Sequence, residues 1–270
     1  CSSDLNKTFS ISILSGKGGV GKTNLALNLG YALFKLAQPA MLMDCDLGLA
    51  NLDVLLGITP DKNLQDILRS DASPEQIIVH LETNGFDLIP AASGVPELVD
   101  LDEDLQLLIF QKLEQLFKKY NFLLMDIGAG ISQTVLSFAR TTHHRILIVT
   151  PEPTSLTDGY ALIKVLHTKH NVKDFWILVN MVESEKEALM TFERLRAACD
   201  KFLKLPVNFL GFVRNDSMIP EAVRKQIPFL KYAPSSPGAT DIFFIAKRLM
   251  EKREQLLSTI YGTPVLKMDF

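Results

Sequence analysis

The chain has 270 residues, and its 28 Lys and Arg residues against 31 Asp and Glu residues give a net charge of −3. Hydrophobic residues make up 47% of the chain and charged residues 22%, an ordinary globular composition that excludes intrinsic disorder and collagen-like repeats. The balanced charge predicts no bulk affinity for nucleic acid. No apolar run reaches the ~20 residues of a membrane helix, and the three cysteines are widely spaced, as reduced thiols are. We therefore expect a cytoplasmic protein.

Strand-like and helix-like runs alternate along almost the whole chain. The strand-like runs are continuously apolar, which is typical of parallel strands that helices cover on both faces. We predict a single-domain α/β fold with a mostly parallel central sheet, spanning residues 8–262 between an N-terminal tail (1–7) and a C-terminal tail (263–270). Strands are predicted at residues 8–14, 40–44, 86–89, 122–126, 145–150, 175–180 and 207–213, and helices at 22–36, 102–119, 154–167, 183–202 and 240–260.

A glycine-rich segment, GKGGVGKT at residues 16–23, follows the first predicted strand and opens the first predicted helix. It matches the pattern G-x-x-x-x-G-K-[ST], whose glycines let backbone N–H groups turn inward around phosphate oxygens. Lys22 should reach the β- and γ-phosphates of a nucleotide, and the Thr23 hydroxyl should bind Mg²⁺. The motif and its position together favour a nucleotide-binding loop over a flexible glycine turn. The residues of this phosphate loop are Gly16, Lys17, Gly18, Gly19, Val20, Gly21, Lys22 and Thr23.

Three aspartates come at the ends of hydrophobic strands. Asp44 and Asp46 end the second predicted strand, and Asp126 ends the strand FLLMD. Carboxylates at strand ends beside a phosphate loop are well placed to hold Mg²⁺ or to orient an attacking water. Each could instead cap a following turn. For Asp126 the hydrophobic run before it and the glycine loop after it favour the metal role, whereas for Asp44 and Asp46 the spacing alone leaves both interpretations open.

The phosphate loop carries a second lysine, Lys17, that an ordinary loop of this kind does not need. KGGVGKT is the deviant Walker A sequence, and through it the chain resembles the MinD/ParA family of P-loop ATPases. The resemblance implies a P-loop NTPase fold, ATP or ADP with Mg²⁺ as ligands, and an ATP-bound homodimer in which Lys17 reaches the partner's phosphates. The run D-x-D-x-x-x-x-N from Asp44 to Asn51 matches switch I of that family. It implies that Asp46 activates the hydrolytic water and that Asp44 supports the metal site.

The same resemblance implies a wider set of site residues. Arg214 is a departure from the family pattern, because relatives commonly carry a proline here that packs on adenine. Asn180 matches a position that often contacts adenine, although it could equally cap the end of its strand. Catalytic roles fall to Lys17, Lys22 and Asp46, and metal binding to Thr23, Asp44, Asp46 and Asp126. Nucleotide contacts beyond the phosphate loop fall to Asn24, Asn51, Gly130, Asn180, Val213 and Arg214.

Four further segments resemble one branch of the family, FlhG (also called FleN or YlxH), which regulates flagellar number and placement. They are DLGLANLDVLLG (46–57), PAASG (90–94), DIGAGIS (126–132) and EPTSLTDGYALIK (152–164). This resemblance implies a slow, switch-type ATPase. Its partners would be an enhancer-dependent transcriptional regulator or a signal-recognition-like GTPase, together with basal-body components.

Three other functions stay open on the same scaffold. The first is a ParA-like DNA-partitioning ATPase, and the second is a metabolic enzyme of the cobyrinic acid a,c-diamide synthase or dethiobiotin synthetase type. The third, an electron-transfer ATPase like the nitrogenase iron protein, is disfavoured because Cys45 and Cys199 do not fall at the cluster-binding positions.

The last predicted helix is amphipathic, and its polar middle, EKREQ at residues 251–255, is charge-balanced. This pattern favours packing on the core over binding to a membrane surface. By resemblance, a membrane-targeting segment would follow in a longer chain and would bring the protein to the inner face of the cell membrane. His143 and His144 stand side by side without further metal ligands nearby, and we predict that both are exposed to solvent.

Overall fold

The computed structural model describes residues 5–46, 51–69, 72–91 and 103–267, which form an α/β fold. The strands are β1 (Phe9–Leu14), β2 (Ala40–Cys45), β3 (Val79–Glu82), β4 (Phe86–Ile89), β5 (Phe122–Ile127), β6 (His144–Val149), β7 (Phe175–Val182) and β8 (Asn208–Arg214). The helices are α1 (Lys22–Lys35), α2 (Leu52–Leu56), α3 (Asp66–Arg69), α4 (Glu103–Phe117), α5 (Gln133–Thr141), α6 (Pro153–His170), α7 (Glu185–Ala198), α8 (Met218–Arg224), α9 (Phe229–Tyr232) and α10 (Pro237–Ile260). A 3-10 helix lies at Pro74–Ile77 and a π-helical turn at Cys199–Leu203.

The strands of the described residues form an eight-stranded sheet in the order β3-β4-β2-β5-β1-β6-β7-β8. All neighbouring pairs are parallel except β3 and β4, so the predicted mostly parallel sheet is confirmed. Because β1, β2 and β5 run in the same direction, their carboxyl ends meet at one edge. Asp44 of β2 is directly in register with Asp126 of β5 there. Open parallel sheets bind ligands at this edge.

Helices cover both faces of the sheet. On β5, Leu123 and Met125 pack into a core shared with α4, α5, α6 and α7, whereas Leu124 faces a second core shared with α1 and α10. Burial on both faces explains why the strands are continuously apolar rather than alternating. This two-sided core positions the carboxyl ends of β1, β2 and β5 at one edge of the sheet.

Every predicted strand and helix has a counterpart in the structure, and most of the ends agree within a few residues. Neither β3 nor α5 is predicted by the sequence analysis. β3 is a four-residue strand at the sheet edge and α5 is a nine-residue helix that Ser132 caps by accepting a hydrogen bond from Val135 N. Residues 47–50 of the predicted switch I, 92–94 of PAASG and residue 102 of a predicted helix lie outside the described residues.

The prediction for His143 and His144 is wrong, because neither imidazole is freely solvated. His143 Nδ1 lies 2.7 Å from Ser10 Oγ, and the His144 ring packs edge-on against Phe9 with 5.0 Å between centroids. His143 precedes β6 and His144 is its first residue, at the base of the sheet, where the His143 side chain is half-buried and the His144 side chain is buried. Burial disfavours the charged imidazole, so the pKa of His143 falls to about 4 and that of His144 to about 3.

Helix α10 packs on the core, as its charge-balanced sequence predicts. Within its polar middle, however, Arg253 is buried and donates to the carbonyls of Lys7 (2.8 Å) and Asn121 (3.1 Å). None of the described helices is long and apolar enough to cross a bilayer. The buried apolar residues of α10 are Ala239, Ile242, Ile245, Ala246, Leu249 and Ile260.

The segment that follows α10 returns to the base of the sheet. Val265 and Leu266 are buried there, and Ser10 Oγ donates to the Val265 carbonyl (2.7 Å). The same serine contacts His143. Ser10, at the start of β1, therefore links this segment to the residue that precedes β6. The part of the predicted C-terminal tail at residues 263–267 therefore belongs to the packed fold.

Candidate nucleotide and metal site

The phosphate loop connects β1 to α1 and turns sharply at its glycines. A Cβ built on Gly16 would lie 2.2 Å from the backbone carbonyl carbon of Asp158 in α6, so no larger residue fits there. Gly21 has φ +84°, a left-handed conformation that glycine adopts without strain, and a Cβ there would lie 2.5 Å from Asn180 Nδ2. The close approach of α6 and β7 thus requires glycine on the inner side of the loop.

A cavity of about 530 Å³ opens between the phosphate loop, the end of β2 and the loop after β5. Its volume suits a nucleotide phosphate chain with a metal ion and water. Of the residues predicted from the sequence, Gly18, Gly19, Gly21, Lys22, Thr23, Asn24, Asp46 and Asn51 line it. The other lining residues are Ser15, Cys45, Leu55, Gly128, Ala129, Ser132, Thr134 and Val135.

Lys22 and Asp126 form a buried ion pair at the floor of this cavity, with 2.5 Å between Nζ and Oδ1. The second carboxylate oxygen, Asp126 Oδ2, is buried without a hydrogen-bond partner, and so is the hydroxyl of Ser15. Burial raises the pKa of Asp126, while the charge of Lys22 opposes that rise. Buried oxygens that lack a hydrogen-bond partner and lie next to a lysine are typical of a site that binds a metal ion and phosphate.

Asp44 and Asp46 occupy different environments although they are two residues apart. Asp44 is buried, and burial together with the nearby charge of Asp126 raises its pKa to about 8. It accepts a hydrogen bond from the Asp46 backbone N–H (3.0 Å). The Asp46 carboxylate instead faces the cavity, and its Oδ1 lies 3.3 Å from where a Cβ of Gly128 would stand. Asp46 is therefore the carboxylate of this pair that can reach a water in the cavity.

The donor set fits Mg²⁺. Magnesium keeps several waters and is held through one or two protein ligands plus phosphate oxygens, so it needs no all-protein cage. Among the described residues no three His, Cys, Asp or Glu side chains converge into such a cage. The Thr23 hydroxyl, Asp126 and Asp44 around the end of β5 supply oxygen donors of the kind that Mg²⁺ prefers. The metal assignment of Thr23, Asp44, Asp46 and Asp126 stays a prediction.

Lys17 does not line the cavity of its own chain. Its ammonium lies 2.5 Å from Glu152 Oε2 and 3.0 Å from Thr154 Oγ1, both at the start of α6. The ion pair is at the surface, with Lys17 31% exposed and Glu152 64% exposed. The predicted contact of Lys17 with a second subunit stays a prediction. Glu152 was not singled out from the sequence, because nothing in the EPTSLTD segment marks it as a partner for a lysine 135 residues away.

A second, narrower cleft lies beside the phosphate loop and shares Gly21 and Asn24 with the cavity. Two of the residues predicted to contact adenine, Asn180 and Arg214, line it. Asn180 Nδ2 donates to the Val20 carbonyl (2.8 Å). The remaining lining residues are Leu25, Met181, Asn215, Asp216, Ile219 and Pro220.

Three predicted contacts lie elsewhere. The side chains of Val20 and Val213 are buried in the core, so only their backbones could meet a nucleotide. Gly130 has φ +95° and donates its N–H to the Ser15 carbonyl (3.0 Å), which ties the loop after β5 to the end of β1. Cys45 lines the cavity but is almost wholly buried, and burial raises the pKa of its thiol.

Known proteins are similar to this chain in sequence and in fold. The CobQ/CobB/MinD/ParA nucleotide-binding domain matches residues 11–229. The chain is similar to the antiactivator FleN of Pseudomonas aeruginosa (36% identity, covering 88% of this chain and 85% of that protein) and to the flagellum site-determining protein YlxH of Helicobacter pylori (35%, 90% and 82%). Among solved structures it is similar to the cell division ATPase MinD of Pyrococcus furiosus, with TM-score 0.75, 26% identity and coverage of 90% and 99%. It also resembles MinD of Pyrococcus horikoshii complexed with Mg-ADP, with TM-score 0.74, 28% identity and coverage of 90% and 96%.

Proposed function

We propose that this chain, which belongs to the CobQ/CobB/MinD/ParA nucleotide-binding family, is an ATP-hydrolysing molecular switch that regulates flagellar number and placement. The observation that carries the proposal is that Lys22 and Asp46 line one cavity at the carboxyl edge of the sheet, where Asp126 pairs with Lys22 and Asp44 lies beside Asp126. The likeness to FleN and YlxH over most of each chain supports the flagellar role.

The reaction is the hydrolysis of ATP to ADP and phosphate. Mg²⁺, when bound, would neutralise charge on the β- and γ-phosphate oxygens. Lys22 leaves its pair with Asp126 to bind those oxygens, and the Thr23 hydroxyl and the Asp126 carboxylate would hold the Mg²⁺. Asp46 accepts a hydrogen bond from the attacking water and orients it toward the γ-phosphate. The backbone N–H groups of the phosphate loop hold the chain of phosphates in place.

The switch is the formation of a homodimer on ATP binding. Lys17 is the residue that would cross between subunits, because it stands on the phosphate loop and is held by surface contacts with Glu152 and Thr154. Surface ion pairs contribute at most about 1 kcal/mol, so a doubly charged phosphate group can draw the lysine away from Glu152. Hydrolysis removes the γ-phosphate that Lys17 would contact across the dimer. The two subunits would then separate.

The output of the switch is partner binding. The relatives carry the names antiactivator FleN and flagellum site-determining protein YlxH, and both names describe action on other components of the cell. We expect this chain to bind flagellar regulators, either an enhancer-dependent transcriptional regulator or a signal-recognition-like GTPase, and basal-body components. It would do so in the cytoplasm, with a membrane surface as a further site for the full-length protein.

A ParA-like role in DNA partitioning and a metabolic ligase activity are the alternatives. A DNA-partitioning ATPase needs a basic surface, and the balance of 28 basic and 31 acidic residues does not favour it. Electrophoretic mobility of plasmid DNA with ATP and Mg²⁺ tests the first alternative. Turnover of a carboxylic acid with ATP and ammonia tests the second.

The proposed function is tested by phosphate release and by light scattering of the same sample. With ATP and Mg²⁺ the wild type should release phosphate slowly and double its mass, and with ADP it should stay a monomer. Lys22→Ala should do neither, because it loses the cation that binds the β- and γ-phosphates. Equal affinity for a flagellar regulator with ADP and with a non-hydrolysable ATP analogue would contradict the switch function. Nucleotide can control a partner only if the partner distinguishes the ADP-bound from the ATP-bound protein.

A further inference from the structure

Two short helices end side by side next to the nucleotide cavity. Helix α2 ends at Gly57, whose φ is +63°, and α8 is followed by Gln226, whose φ is +54°. The Gln226 N–H donates to the Val223 carbonyl at 3.0 Å, one of the hydrogen bonds of the Schellman motif that ends many helices. That position usually holds glycine, because a Cβ is strained in left-handed backbone. Gln226 therefore stands where the backbone by itself favours glycine.

The side chain of Gln226 reaches across to α2. Its Nε2 donates to the Val54 carbonyl at 2.8 Å, and its Cβ would lie 3.2 Å from a Cβ built on Gly57. The Val54 carbonyl belongs to the last turn of α2, whose carbonyls have no acceptor role within the helix and need donors from outside it. A glycine at position 226 would satisfy the turn after α8 but would leave this carbonyl without the amide donor.

Contacts with the rest of the protein decide where α2 lies, because a helix of five residues is too short to be stable by itself. On its inner side, Leu52 is buried in the core that α1 and α10 share, and Leu56 packs against that core. On its outer side, Val54 is 63% exposed. The hydrogen bond from Gln226 is made on this outer side, and it joins α2 to α8.

The position of α2 matters to the nucleotide cavity, because Asn51 and Leu55 both line that cavity. Asn51 is the residue before α2, and its carbonyl accepts from the Leu55 N–H at 2.9 Å, so the two move with the helix. The same two residues also line a groove of about 400 Å³ between α2 and α8, whose other wall includes Val223 and Gln226. A movement of α2 away from α8 would widen this groove and displace Asn51 from the cavity.

We propose that Gln226 is a positioning residue for ATP hydrolysis, which holds α2, and with it Asn51, in place at the nucleotide cavity through the Val54 carbonyl. The inference rests on the proposed hydrolysis of ATP. Strained backbone persists where the surroundings require it and clusters at switch regions, and the contact with α2 is what requires it here. Gln226 does not itself line the cavity, so it affects turnover and leaves ground-state binding of nucleotide unchanged.

Phosphate-release kinetics and calorimetric titration with ADP, both with Mg²⁺ and the full chain, test the proposal in two variants. Gln226→Glu keeps the length and the backbone strain but cannot donate to a carbonyl, whereas Gln226→Gly removes the donor and relieves the strain. Both should lower kcat about fivefold, the order of one neutral hydrogen bond, and leave KM for ATP and the affinity for ADP within about twofold. Amide hydrogen exchange at residues 51–58 should be faster in both variants than in the wild type.

Lys204→Gly is the matched control, because Lys204 has the same left-handed backbone (φ +53°) after the π-helical turn and does not line the cavity. It should hydrolyse ATP as the wild type does, and circular dichroism checks that every variant is folded. Wild-type kcat in Gln226→Gly would overturn the positioning role, since position 226 would then only end α8.

Equal losses in kcat and in ADP affinity would overturn the positioning role as well, and so would unchanged hydrogen exchange at residues 51–58. A wild type that releases no phosphate would contradict the proposed function itself. The exchange at residues 51–58 would then show separately whether Gln226 holds α2.

Discussion

Lys22 and Asp126 form an ion pair in which the lysine side chain is 7% exposed and the aspartate side chain 1% exposed. The pair joins the first turn of α1 to the end of β5 across the floor of the cavity. A buried charge that loses its partner is strongly destabilising, by about 3–5 kcal/mol. If a phosphate draws Lys22 away, Asp126 therefore needs another cation beside it. We therefore expect nucleotide and Mg²⁺ to bind together.

The first prediction follows from that coupling. In the wild type, Mg²⁺ should strengthen ADP binding by about tenfold or more, because it compensates Asp126 when Lys22 moves. In Asp126→Asn, which keeps the shape and removes the charge, the same titration with and without Mg²⁺ should give nearly equal affinities. Asp61→Asn, an exposed aspartate outside the cavity, is the control. An Asp126→Asn protein that keeps the full Mg²⁺ effect would remove Asp126 from the metal site.

The second prediction concerns Lys17. Lys17→Ala should bind ATP almost as the wild type does and fail to dimerise, whereas Glu152→Gln should dimerise at lower ATP because the competing ion pair is gone. The gain is limited to about 1 kcal/mol, or about fivefold in ATP concentration, by the weakness of surface pairs. Multi-angle light scattering across an ATP titration measures both. Normal dimerisation of Lys17→Ala would show that this lysine does not act across subunits.

The third prediction compares two glycines of the phosphate loop. In Gly16→Ala the new methyl group would meet the Asp158 backbone at 2.2 Å, so α6 must shift, at a cost of about 1–3 kcal/mol in the free energy of unfolding. Gly18→Ala meets nothing within 4 Å and should cost little. Urea unfolding with and without ADP separates the two variants. Equal stability would mean that the loop and α6 are not in the described contact.

The fourth prediction concerns acid stability. The folded pKa of His143 is about 4, below the ordinary 6.5, because the imidazole is buried near Lys267 and Arg145. The unfolded chain therefore binds one more proton at this site between pH 4 and 6.5. Stability should rise with pH across that window and fall as the pH drops toward 4. His143→Asn should reduce the slope of unfolding free energy by about 1.4 kcal/mol per pH unit near pH 5. Parallel slopes for the two proteins would rule out a buried neutral His143.

The sequence predicted the fold and the floor of the site because both depend on local patterns. Apolar runs mark strands buried on two faces, and the phosphate loop has a fixed spacing between its glycines and Lys22. The partners of Lys17 and Arg214 could not be predicted in this way. Glu152 lies 135 residues beyond Lys17 and Asp241 lies 27 residues beyond Arg214, and the packing of α6 and α10 brings them close.

The burial of the two histidines could not be predicted from local sequence either. His143 and His144 look like a polar pair in the sequence, and yet contact with Ser10 and Phe9 leaves His143 half-buried and His144 buried. Burial of a polar pair at a strand start is decided by what covers the base of the sheet, here the segment around Val265. That covering segment lies more than a hundred residues further along the chain, so no local pattern reports it.

We expect Asp46 to orient the hydrolytic water while other groups hold the nucleotide and the dimer. Asp46→Ala, with Asp61→Asn as the control, should be followed by phosphate release and by light scattering in one sample with ATP and Mg²⁺. We predict a stable dimer that binds ATP and releases phosphate about a hundredfold more slowly than the wild type, because loss of a water-positioning group affects the rate and not ground-state binding. A monomeric Asp46→Ala protein that turns over ATP at the normal rate would show that Asp46 does not orient the hydrolytic water.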